Sequence, residues 1–153
     1  MMRVIRAAAI GATAVLLMSP AGHADDKAVR ADDKAIIDYR EHIMNTLNEQ
    51  SAALGQILST TVPGDNTSAH IQAIALAASL ALKAFEPKVQ GGEAKPEVWS
   101  NWPDFSKRMT DFAQKTAEMA KISREQGNDA ALANVVDALS CKGCHDVYRA
   151  EKK

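Results

Sequence analysis

The chain has 153 residues, 46% hydrophobic and 24% charged, a balance that fits one globular domain. Its formal net charge of −1 argues against nucleic-acid binding, which draws on a basic surplus. Two cysteines exclude a miniature fold stapled by disulfides. Alanine is abundant and aromatics number only seven, which favours helix over strand and leaves open what fills the core.

The first 24 residues read as an export signal. Met1 to Arg6 carries two arginines and no acid, Ala7 to Met18 is apolar or small, and Ala21-Gly22-His23-Ala24 offers a small-residue cleavage site after Ala24. The alternative is a retained membrane anchor, but the apolar run is shorter than the ~18 residues a span needs. Removal takes away two arginines and no acid, leaving residues 25–153, which is 129 residues with a formal charge of −3. The mature protein is expected to be periplasmic, with no membrane span.

Four helical segments follow. The first runs from about Asp32 to Leu58, with Ile36, Ile43, Leu47, Leu54 and Ile57 keeping one face. Pro63 and Gly64 then break the pattern. The second runs from Thr67 to Phe85, with Asn66 or Thr67 as its cap. It is apolar on several sides, and an exposed stripe beside Ile71 and Ile74 would suit a homodimer. Alanine content alone could also make it look greasier than its surface is. Glu86 to Pro103 holds three prolines and two glycines, so no regular helix is expected through it. Trp99 and Trp102 should fold back from it onto the core. The third segment spans Asp104 to Arg124 and the fourth Asp129 to Arg149. The expected fold is all-α, an antiparallel four-helix bundle with one long loop.

Both cysteines fall in Cys141-Lys142-Gly143-Cys144-His145, the pattern that attaches a c-type haem. Two thiols three positions apart can form thioethers with the two vinyl groups of one porphyrin, and the next residue offers its imidazole to the iron. A thioredoxin-like pair would need a βαβ context, and no strand pattern surrounds the motif. Structural zinc would need further paired ligands, whereas His23, His42 and His70 are scattered. A disulfide between Cys141 and Cys144 would close a tiny loop for little entropic gain. The expectation is one haem c per chain, bound through Cys141 and Cys144, with His145 as an iron ligand. The haem would also supply the large apolar body that the core lacks.

The chain resembles the class II cytochromes c, which include the cytochromes c prime. The resemblance rests on Tyr39-Arg40 with Met44, on Gly91-Gly92-Glu93-Ala94-Lys95-Pro96-Glu97-Val98-Trp99, and on Cys141 to Arg149. Two positions depart from the pattern: Leu82, where an aromatic is common, and Ala138, where glycine is. The resemblance implies a four-helix bundle with Met44 over the face of the haem opposite His145. Low-spin members ligate iron through methionine there, and high-spin members leave the iron five-coordinate. Arg40 lies one helical turn from Met44 and is expected to pair with a haem propionate, the alternative being a solvated arginine. Arg149, four residues after His145, is expected either to orient the imidazole or to act as a simple helix-end cation. His42, about 200° round the helix from Met44, should face solvent.

Two functions follow. In the first, Met44 is the sixth ligand and the protein carries single electrons between periplasmic redox partners. In the second, the sixth position is open and binds nitric oxide or carbon monoxide. No acid–base or nucleophile constellation points to an enzyme.

Overall fold

The computed structural model describes the backbone of residues 23–151 and the side chains of residues 32–151. Residues 1–22, which carry all but the end of the expected export signal, lie outside the described residues. Three long helices form the frame: α1 (His23–Leu58), α2 (Thr67–Phe85) and α4 (Trp102–Gln126), with one short turn, α3 (Glu97–Ser100), before α4. The chain returns along α4 as α5 (Asn128–Leu132), α6 (Val135–Ala138) and α7 (Cys141–Tyr148).

α2 packs between α1 and α4 and supplies the centre of the core. Leu54, Ile71 and Ile74 are fully buried, with Val98, Met119 and Thr116 beside them. Burying each large aliphatic side chain contributes about 1.5–3 kcal/mol. By length and composition α2 could also cross a membrane, a test that the core helix of a bundle passes as well. Its Ile71, Ile74, Ala77, Ala78, Ala81, Ala84 and Phe85 are buried within the bundle. Because Ile71 and Ile74 face inward, only Leu76 and Leu80 among its large apolar residues face solvent. Asn66 occupies the N-cap position but makes no side-chain capping bond, and the Thr67 hydroxyl instead donates to the Gly64 carbonyl at 2.6 Å.

Two sequence expectations need correction. A turn of helix does form inside the Glu86 to Pro103 loop, because Pro96 stands just before Glu97, where a missing N–H costs nothing. The fourth helix is not continuous. Asn134 sits near φ −100°, ψ 1°, and its side-chain amide donates back to the Ala130 carbonyl at 3.1 Å. Ser140 sits near φ −75°, ψ 59°, with the Cys141 N–H donating to the Leu139 carbonyl at 2.8 Å, an inverse γ-turn. Each turn takes the backbone out of the helical ladder, so the segment becomes α5, α6 and α7.

The tryptophans pack as expected. Trp99 Nε1 donates to the Phe85 carbonyl at 2.9 Å, satisfying an acceptor left over at the end of α2. Trp102 stacks at 5.7 Å from Phe105, which in turn meets Phe85 and Tyr148, both at 5.1 Å.

Candidate haem site

The γ-turn at Ser140 starts a new helix at Cys141, so one turn of α7 presents Cys141, Cys144 and His145 together. Cys141 is exposed and Cys144 half-buried, both as free thiols. Burial pushes the Cys144 thiol up, and the Arg108 charge partly opposes this. Burial first, then the Arg149 cation, pushes the His145 imidazole down, which favours its neutral, ligand-competent form. Arg149 Nη1 donates to His145 Nδ1 at 3.3 Å, while Arg149 Nε lies 3.4 Å from Glu93 Oε2.

The long loop holds the end of α7. Lys95 N–H donates to the Tyr148 carbonyl at 3.0 Å, and Ala150 N–H donates to the Glu93 carbonyl at 2.8 Å. The same loop presses on α1 through Gly91 (φ 135°) and Gly92 (φ 61°). A Cβ on Gly91 would fall 2.6 Å from Ile37 Cδ1, and one on Gly92 would fall 2.6 Å from Glu41 Oε1. Both glycines are needed for backbone conformation and for close approach.

α4 holds α7 from the other side. Tyr148, almost fully buried, donates its hydroxyl to Asp104 Oδ2 at 2.5 Å. Arg108 Nε donates to the same oxygen at 2.7 Å, and Arg108 Nη1 donates to the Gly143 carbonyl at 3.1 Å.

Arg40 is 3% exposed. Its Nη1 donates to the Val89 carbonyl at 2.7 Å, and its guanidinium lies 5.4 Å from the Phe85 ring and 5.1 Å from Trp99. Nη2 is buried with no hydrogen-bond partner among the described residues. A buried guanidinium with a free donor is costly unless an anion meets it. The solvated alternative for Arg40 is therefore not what the fold contains.

The ring contacts Phe85, Phe105 and Tyr148 connect Arg40 to α7, so four of the five expected site residues share one region. Met44 is not in that chain of contacts; it is half-buried on α1 and packs at the edge of the core. His42 is exposed, as expected. Sequence reasoning missed Glu93, Asp104 and Arg108 as site residues. Only the four-residue spacing of Asp104 and Arg108, which suits a helical ion pair, could have flagged any of them.

The family model described as Cytochrome C' matches residues 35–149. The chain belongs to the cytochrome c' family. It is 25% identical to the cytochrome c' of Alcaligenes xylosoxydans xylosoxydans, over 76% of this chain and 94% of that protein. It is 27% identical to that of Halomonas halodenitrificans, over 79% of this chain and all of that protein. Among solved structures, cytochrome c prime from Shewanella frigidimarina superposes with a TM-score of 0.66 at 25% identity, covering 78% of this chain and 97% of that one. The ferric Alcaligenes xylosoxidans protein superposes at 0.71 and 24% identity, with the same coverage. These neighbours share the four-helix bundle.

Membership of the cytochrome c' family brings a haem c, and the residues present fit one. The unpartnered Arg40 Nη2 is a ready donor for a propionate carboxylate. Two free thiols and an imidazole occupy one turn of α7. When bound, the group supplies an iron that exchanges one electron or takes a sixth ligand. For His145 to ligate through Nε2, its remaining proton must sit on Nδ1, so Arg149 must turn away from Nδ1. Glu93, already 3.4 Å from Arg149 Nε, would anchor the guanidinium in that case.

Proposed function

We propose that the chain is an exported, periplasmic mono-haem protein that binds nitric oxide or carbon monoxide at an open sixth position. Cys141 and Cys144 carry the thioethers, His145 is the proximal ligand, Arg40 meets a propionate, and Met44 lines the distal side without ligating. The observation that carries the haem is the buried Arg40 cation with a free donor, joined by aromatic contacts to the helix of the attachment motif.

The step from haem to gas rests on likeness. A variant of the Alcaligenes xylosoxidans protein has been solved in its ferrous form with bound NO. This favours the reading that stood second at the sequence level over the electron carrier with Met44 as sixth ligand. Met44 packs at the edge of an apolar core, where a flexible thioether fills space and offers a gas no strong hydrogen-bond donor. Solvent-facing Leu76 and Leu80 on α2 are the surface on which a homodimer would form.

The test is a nitric oxide titration of the reduced, purified protein, followed optically. The expected result is uptake of one NO per chain by both wild type and Met44→Ala. A wild type that takes up NO only after Met44→Ala has the sixth position filled by methionine, and the carrier reading then stands instead.

A further inference from the structure

The Cys-x-x-Cys-His turn receives little support from its own helix. α7 is eight residues long, too short to be stable alone, and Ser140 gives it no side-chain cap. Cys141 is exposed and the space around Gly143 is open, while Cys144 and His145 are half-buried, so packing holds this turn on one side only. The far end of α7 is held by Tyr148 and the loop, whose contacts begin at residue 146, where Lys95 Nζ donates to the Asp146 carbonyl at 3.4 Å. Among the described residues, the long-range hydrogen bond to the backbone of the first turn is Arg108 Nη1 to the Gly143 carbonyl.

Arg108 is itself held in place. Its Nε is fixed by Asp104 Oδ2, and its guanidinium lies 6.0 Å from the Tyr148 ring. The same Asp104 oxygen accepts the Tyr148 hydroxyl. One carboxylate on α4 therefore ties together a residue gripping the start of α7 and a residue anchoring its end. Gly143 lies between the two cysteines and two residues before His145, so a shift of its carbonyl turns all three.

We propose that Arg108 is a positioning residue for the haem-attachment turn: oriented by Asp104, it grips the Gly143 carbonyl and sets how His145 meets the iron. The proposal rests on the haem reading above. An arginine suits the role because its fork can serve a carboxylate and a carbonyl at once, whereas a lysine offers a single point charge.

The readout is the iron–histidine stretching band of the reduced holoprotein in resonance Raman spectra, with melting temperature measured alongside. Arg108→Met is expected to shift and broaden the band, and Arg108→Lys to restore it in part. Lys107→Met, which removes the same charge from an exposed neighbour paired with Asp111, is expected to leave the band in place. Asp104→Asn, which frees Arg108 while leaving an acceptor for Tyr148, is expected to move the band in the same direction by less, and decides the matter if Arg108→Met does not fold. An unmoved band in both Arg108→Met and Asp104→Asn, even with a lower melting temperature, overturns the positioning role alone. A wild type without covalent haem overturns the haem reading and this role together.

Discussion

The Arg40 guanidinium lies 5.1 Å from the Trp99 ring, so a cation on α1 and an indole of the long loop share one buried contact. Nothing among the described residues satisfies the second terminal nitrogen of that cation. If a haem propionate is its partner, Arg40→Met leaves that carboxylate uncompensated and favours the ferric state. The reduction potential should fall on the order of 60 mV, tenfold in the one-electron equilibrium. Arg40→Lys should recover only part, because an ammonium cannot bond the Val89 carbonyl and the carboxylate through one planar fork. Potentiometric titration of the three proteins checks this. Three equal potentials would remove Arg40 from the site.

Asp104 makes the acid stability of the protein readable. The Tyr148 hydroxyl, and next the Arg108 guanidinium, hold its carboxyl below the ordinary carboxylate range. A carboxylate lowered on folding contributes stability above its unfolded pKa of about 4, and that contribution is lost as pH falls through the folded value. Asp104→Asn should therefore flatten the stability profile below about pH 4. Thermal melts of both proteins between acid and neutral pH test it. Parallel profiles would show that Asp104 is not linked to folding.

α1 ends in a Schellman motif built on the wrong residue. Thr60 has φ 57°, with Thr60 N–H donating to Ile57 at 2.9 Å and Thr61 N–H to Gln56 at 3.1 Å. A β-branched residue in the left-handed region costs about 1–2 kcal/mol that glycine does not. Part of that gain is returned as extra freedom of the unfolded chain. Thr60→Gly should raise the melting temperature by about 3 °C. A fall would mean that the threonine side chain contributes more than its backbone costs.

What the sequence made legible was carried by residue type at short spacing. Ile71, Ile74 and their neighbours repeat with helical period, and Cys141 to His145 sit in five consecutive positions. The boundaries of α2 follow from Thr67 and from the proline after Phe85. The breaks in the fourth helix were not legible, because Asn134 and Ser140 occur in helices as well, and the turns they take here close on backbone carbonyls, those of Ala130 and Leu139. The long-range parts of the site were hidden for the same reason. Arg40 ends on the carbonyl of Val89 and Arg108 on that of Gly143, and a backbone carbonyl leaves no mark in residue identity. The inward turn of Ile71 and Ile74, which moves the exposed stripe of α2 to Leu76 and Leu80, likewise needed the helix packing itself.

The most direct test of the account is the electronic spectrum of the reduced, purified protein before and after carbon monoxide. A haem held by His145 with an open sixth position predicts a high-spin ferrous spectrum that shifts on adding the gas, in wild type and Met44→Ala alike. A low-spin ferrous spectrum that carbon monoxide leaves unchanged, with a far-red methionine–iron band in the oxidised protein that Met44→Ala abolishes, would contradict it.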